Sequence, residues 1–243
     1  MRNYAKRATA GTAVIAMALA TCLVRPYKVH AETSSHTDIS GFWVPRYSDA
    51  NVPTASLTPA AMRREAAVKK QEDHVRRFCN NLGMPALMYS GPGIDVGEGL
   101  TEVVIVTQIN ATPRHIYLNR EHPDAKIFDP TTNGNSIGRW VGNKLIVDTT
   151  GFDDKGMISI PGGGYRTSTS HLVESYEVID GGKYLEVVST WTDPKTFVRP
   201  HTYLMLYSHA PVGYRTEDWD CVPADNVRGK AMTDTPQPVV WEK

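Results

Sequence analysis

The sequence predicts a mainly β protein, an antiparallel β-barrel or sandwich with one surface helix near its N-terminus. Three observations carry that expectation. From Leu100 onward, short apolar runs alternate with polar residues at period two. Tight-turn dipeptides such as Gly142-Asn143 and the run Asp180-Gly181-Gly182 separate those runs. No helical pattern lies between them to supply the crossovers of a parallel sheet.

The first 31 residues read as a secretory leader. Arg2, Lys6 and Arg7 form a basic start, Ala8 to Val24 is apolar apart from small Thr and Gly residues, and Val29-His30-Ala31 offers small residues at −3 and −1 of a cleavage site. A retained membrane anchor is the competing reading, but the apolar run is short for a span. Leu19-Ala20-Thr21-Cys22 resembles a lipoprotein box, with Thr where a smaller residue is usual. Cleavage after Ala31 predicts a periplasmic or secreted protein with no stable membrane span in the mature chain.

The whole chain carries 26 basic and 26 acidic residues. The leader takes five of the basic ones, so the mature chain holds 21 against 26, a net charge of −5 with His neutral. That argues against a nucleic-acid partner, which needs a clustered basic surface. Cys79 and Cys221 remain after cleavage, an even pair for an oxidising compartment. A disulfide between them would close a loop worth on the order of 4–5 kcal/mol in the chain-entropy model. Two free thiols are the rival. No metal is expected, because neither Cys sits in a CxxC pattern and the His residues show no HxH or HExxH spacing.

Taken in order, Ile39 to Pro45 reads as a first strand ended by proline. Thr58-Pro59 opens a helix to about Arg77, with Thr as N-cap and Pro at the first helical position. Its apolar stripe (Met62, Ala66, Val68, Val75) is thin and its surface heavily charged, so it belongs on the outside. Cys79 to Gly99 reads as a long loop packed through Met84, Leu87 and Met88. Strands are then expected over Thr101–Ile109, Arg114–Asn119, Ser136–Val141, Lys144–Thr150, His171–Ile179, Tyr184–Thr192, Tyr203–His209 and Gly213–Trp219. One domain over 32–243, lipocalin-like in plan, accounts for all of them.

Within that plan Gly134–Asp154 is the most informative stretch, a hairpin turning at Gly142-Asn143. It resembles a segment, G-H-S-I-G-R-W-x-G-D-x-L-V-V-D-T-x-G-F-N-D, of an uncharacterised group of secreted bacterial proteins. The likeness rests on Gly134, Ser136–Trp140, Gly142, Leu145, Val147–Thr149, Gly151, Phe152 and Asp154. It extends to Arg114–Leu118, His122-Pro123, His171–Glu174 and Asp193-Pro194. Asn135 stands where the group usually has His, and Asn143 where it usually has Asp. The resemblance implies compartment and fold; it brings no activity.

Glu174 is the sharpest candidate for chemistry, a carboxylate on the same strand face as Leu172, Tyr176 and Val178. Buried, it could serve as general acid or base with His171 or His115. The plainer reading is a structural Glu paired with Arg139, or one lying at the open rim. Arg139, expected on the face of Ile137 and Val141, could anchor a ligand carboxylate, or point inward to Asp148 or Glu174. Trp140, Tyr117, Tyr176 and Trp191 are candidate ligand contacts. Asp148 and Asp193 are further acid–base candidates, with Asp193-Pro194 more simply a turn. Gly162-Gly163-Gly164 precedes neither a helix nor Lys-Ser/Thr, so it cradles no phosphate and reads as a mobile loop at a barrel mouth. No cofactor motif is present.

Three functions fit. The first is a barrel binding a hydrophobic or aromatic small molecule among Val103, Ile105, Leu145, Val147, Leu185, Val187 and Trp191. The second is a cofactor-independent isomerase, lyase or cyclase using Glu174 and a His, with Arg139 steadying negative charge. The third is an envelope structural protein without a pocket. The sequence favours the first and leaves the oligomeric state open.

Overall fold

The computed structural model describes residues 36–67, 83–89, 93–107, 113–154, 160–211 and 214. These belong to the second of two compact units, Ser34–Lys243. The expected leader, Cys22, Cys79, Cys221 and most of Gly213–Trp219 lie outside them, as does the stretch from 68 onward of the helix expected to run to about Arg77. Among the described residues no helix is long and apolar enough to cross a membrane.

Nine strands close into a barrel in chain order: β1 (Gly41–Pro45), β2 (Ile94–Glu98), β3 (Glu102–Thr107), β4 (Arg114–Leu118), β5 (Asn135–Val141), β6 (Lys144–Thr150), β7 (His171–Ile179), β8 (Tyr184–Thr192) and β9 (His201–His209). β1 closes the ring against β9 through Trp43↔His209 and Pro45↔Tyr207. The barrel expectation holds, with two revisions. Ile94–Glu98 is a strand, where the sequence reading has loop. Its Ile94 and Val96 alternate correctly, but Gly93, Gly97 and Gly99 mask the signal.

The second revision is that β4 and β5 run parallel, while every other neighbouring pair is antiparallel. Parity requires it. A closed ring of nine strands cannot reverse direction at every contact, so at least one contact must be parallel. A parallel neighbour cannot be reached by a tight turn, so the connection 119–134 runs back along the barrel wall. It is stitched down by Asn119 N–H to Gly138 O at 2.8 Å, Thr131 N–H to Gly151 O at 3.1 Å and a bridge from Thr131 to Phe152.

Period-two alternation fills the interior. Val103, Ile105, Ile116, Leu145, Val147 and Trp191 are among its fully buried side chains. Gly138 is the small member of this set. A Cβ there would lie 2.8 Å from Ile116 Cγ2 and 3.2 Å from both Leu118 and Leu145, so only glycine lets the parallel seam close. The turn Ala86–Tyr89 packs against the core, as the burial of Met84, Leu87 and Met88 shows. Tyr207 Oη donates to Met88 O at 2.6 Å.

Thr58 caps the surface helix as expected, its Oγ1 accepting Ala61 N–H at 3.1 Å. The buried residue is Ala61, however, and Met62 is exposed. Arg64 lies over the Tyr165 ring at 4.2 Å and donates to Asp154 O at 3.1 Å, fixing that helix to the barrel. The three-glycine loop is pinned rather than free-standing: Gly162 O accepts Ala55 N–H at 2.8 Å, and a Cβ on Gly162 would lie 2.2 Å from Pro53 O.

Candidate functional site

Strands β4 to β7 carry two polar clusters, one on each side of the wall. Alternation alone sorts the residues. In β5, Asn135 points out and Ser136 in; in β6, Asp148 points out and Thr149 in.

The inner cluster is centred on Arg114 and Glu174, each 1% exposed. Arg114 Nη2 meets Glu174 Oε2 and Nη1 meets Oε1 at 3.2 Å. Nη1 also donates to Tyr176 Oη at 2.9 Å, and Tyr176 Oη–H donates to Glu174 Oε1 at 2.9 Å. Ser136 Oγ takes the Arg114 Nε–H at 3.2 Å, and Thr149 Oγ1 takes Nη2–H at 3.1 Å. Every guanidinium donor therefore has an acceptor. Desolvation works against the Arg114 charge, but the Glu174 carboxylate and the Tyr176 hydroxyl outweigh it and hold the guanidinium pKa above its ordinary value. Burial, with Glu174 close by, pushes the Tyr176 phenol well up, so it stays a neutral donor. Burial does the same to Tyr203 and Tyr207.

This network revises the expected partnership. Glu174 pairs with Arg114 and not with Arg139, which is exposed on the outer face opposite Ile146. Glu174 is thus held as one half of a saturated buried pair, with no ring nitrogen of His171 or His115 among its partners. Tyr176 and Trp191 are fully buried. Trp140 is half-buried and stacked on His36 at 3.5 Å, and Tyr117 is half-buried on the outer face beside His115. Arg114 is the residue that sequence reading missed. Its signal is the alternation of Arg114, Ile116 and Leu118, which sets an arginine on an apolar face.

The outer cluster is centred on Asp148. His122 Nε2 meets Asp148 Oδ1 at 2.8 Å, and His171 Nε2 meets Oδ2 at 2.9 Å. His122 Nδ1 lies 2.8 Å from Asn135 Oδ1. His122 rides on the crossover 119–134, Asn135 opens β5, Asp148 sits in β6 and His171 opens β7. Partial burial would raise the Asp148 pKa; the hydrogen bonds and charges of the two imidazoles more than offset that and lower it. His115, by contrast, pairs with Glu102 at 2.9 Å on an open strand face. His115 therefore stands apart from both the Asp148 cluster and Glu174.

Beside the outer cluster lies a cleft of about 330 Å³. The crossover supplies Pro123, Phe128 and Pro130, the end of the β5–β6 hairpin supplies Phe152, and Asn135 and His171 bring polarity. Gly151 shapes it: a Cβ there would lie 2.6 Å from the Phe128 ring, and its φ of +69° is one that side-chain-bearing residues avoid. The neighbouring loop 168–170 is fixed by the buried Asp193. That carboxylate accepts Thr167 Oγ1 at 2.6 Å, Ser170 Oγ at 2.7 Å and Thr169 Oγ1 at 3.2 Å. Asp193 is a structural anchor for the cleft wall.

The molecule is therefore a closed β-barrel whose inner Arg114–Glu174 cluster is saturated and whose outer face presents a histidine–carboxylate cluster beside an apolar cleft under the crossover. No protein-family model matches the chain, and no curated protein is significantly similar to it in sequence. Among the described residues no group of His, Cys, Asp and Glu side chains is arranged to hold a metal ion.

Proposed function

We propose that this is an exported β-barrel protein that binds a hydrophobic or aromatic small molecule, and that the ligand lies in the cleft under the crossover and not along the barrel axis. The observation that carries this reading is the cleft itself. Its volume of about 330 Å³ lies within the roughly 300–1,000 Å³ of small-molecule sites. Phe128, Phe152 and two prolines offer apolar walls, and His171 and Asn135 give a ligand one polar end to address. A compact aromatic ring with a single carbonyl or hydroxyl suits that lining. Export rests on the leader and on Cys79 and Cys221.

Saturation-transfer NMR with acetophenone and benzyl alcohol tests the site. Transfer to both probes is expected, and Ala125→Trp, an exposed substitution on the cleft rim, should abolish it. Undiminished transfer in that variant would place the ligand elsewhere. Material recovered from a periplasmic extract should begin at Glu32, with both remaining cysteines protected from alkylation; a chain retaining Met1, or freely alkylated, would overturn the export reading.

A further inference from the structure

We propose that the cleft under the crossover is a proton-transfer site, in which His171 removes a proton from the carbon next to a ligand carbonyl and the Asn135 amide steadies the resulting enolate oxygen. The inference rests on the cleft being a binding site and adds a reaction to it.

The cluster geometry sets which ring nitrogens face which oxygens. His171 directs Nε2 at Asp148 Oδ2 at 2.9 Å, so Nε2 carries the hydrogen and Nδ1 keeps its lone pair. A carboxylate that holds one ring nitrogen fixes the tautomer of the imidazole and steadies the cation that forms when the other nitrogen takes a proton. His122 lies between two oxygens, Asp148 Oδ1 and Asn135 Oδ1, both at 2.8 Å. Both of these oxygens are engaged by the His122 ring, so Asn135 Oδ1 is turned toward it and the Asn135 Nδ2–H groups are left to donate. Asn135 and His171 both line the cleft. One base and one donor beside an apolar wall are what enolisation needs.

The step balances without a co-reactant. The Cα–H bond breaks, its proton forms an N–H bond on His171 Nδ1, and the electron pair passes through the carbonyl to become the enolate oxygen held by Asn135. Return of a proton from the imidazolium to either end of the enolate regenerates the base. Returned to the same carbon, it gives isotope exchange in deuterated water. Returned to a conjugated carbon, it gives a shifted double bond. The substrate class is a compact aromatic or alicyclic ketone.

The fold supplies an internal control. His115 and Glu102 form the same kind of pair at 2.9 Å, with side-chain exposures of 42% and 38%. His171 and Asp148 have 43% and 38%. What differs is the second histidine and the cleft. The experiment follows loss of the acetophenone methyl protons to deuterium by NMR, catalysed by the full mature chain. His171→Gln should cut the rate by about 100-fold or more, the scale of general-base catalysis. His115→Gln should leave it unchanged. Asp148 is a positioning residue: Asp148→Asn should lower the rate by about tenfold or more while the apparent affinity for the ketone stays the same. Saturation transfer run on the same samples separates the two readings. Acetophenone bound in the cleft with exchange equal in the wild type and His171→Gln overturns the catalytic inference and keeps the binding one. Equal losses in His171→Gln and His115→Gln also overturn it, since any surface imidazole would then suffice. No binding to the cleft overturns both.

Discussion

The two polar clusters of β4–β7 are built from neighbouring residues on the same strands, yet they are opposite in character. Inside, Arg114 and Glu174 are 1% exposed, and each donor of the guanidinium is met. Outside, Asp148 and His171 keep about four-tenths of their side-chain surface, and His171 has one ring nitrogen left over from its bond to Asp148. A buried, saturated network resists any change of charge and so holds structure. A half-exposed, incompletely used one can gain and lose protons and meet a ligand. The sequence pairs Asn135-Ser136 and Asp148-Thr149 contribute one residue to each side, so a single hairpin feeds both clusters.

The comparison is tested hardest at Glu174. Glu174→Gln leaves Arg114 charged and uncompensated inside the barrel, and should cost about 3–5 kcal/mol in urea unfolding, the usual penalty for breaking a buried pair. The double change Arg114→Met with Glu174→Leu should cost less than Glu174→Gln alone, because no lone charge is left. A single variant that unfolds like the wild type would mean that the pair is hydrated, and the division between inner and outer clusters would fail.

Next in size is the parallel seam between β4 and β5, which the inner cluster crosses. Gly138→Ala puts a methyl 2.8 Å from Ile116 Cγ2, with Leu118 and Leu145 also too close. Overpacking of this kind costs roughly 1–3 kcal/mol. Because the strain falls between β4 and β5, hydrogen exchange should rise first where Ile116, Tyr117 and Leu118 pair with Ser136, Ile137 and Gly138. Uniform loss of protection around the ring would show that the parallel contact is no weaker than its neighbours.

How far these features show in the sequence depends on whether they are local. Alternation within a strand is local, so Val103, Ile105, Leu145, Val147, Leu185, Val187 and Trp191 were legible as core, and Glu174 as an inward carboxylate. Its partner was not, because the apolar look of Ile137 and Val141 put Arg139 on the wrong side. The true inner face of β5 is Ser136 and Gly138, small because the parallel seam is tight, and small residues give no hydrophobic signal. The outer site was hidden for a different reason. His122, Asn135, Asp148 and His171 are brought together by a crossover that ring parity demands and that no spacing rule encodes. Asn135 did stand out as a departure from the group's pattern, at the very position that touches His122.

On the outer side the substitution with the largest expected structural effect is Gly151→Ala. It forces a side chain into a φ of +69° and drives a methyl into the Phe128 ring. The expected cost is about 1–2 kcal/mol, with the cleft wall displaced. Saturation transfer to acetophenone should fall while the barrel amides keep their protection. The two readouts moving together would tie the cleft to the interior more closely than the two-cluster comparison allows.

The smallest effect expected is the acid response of Asp148, and its sign separates the clusters again. The two imidazoles hold this carboxyl below its ordinary value against the opposing pull of burial. A depressed folded pKa stabilises the native state at pH values above the unfolded carboxyl value, and that contribution fades as pH falls through the folded one. The loss should be confined to the acid side of about pH 4, the ordinary Asp value. Because Asp148 is more than a third exposed, water screens the interaction and only a fraction of a kcal/mol is at stake. Asp148→Asn should therefore shift urea midpoints slightly at neutral pH and not at all at pH 2. A large shift at neutral pH would put Asp148 with Glu174 among the groups that hold the barrel together, and would leave the outer cluster without the freedom that proton transfer needs.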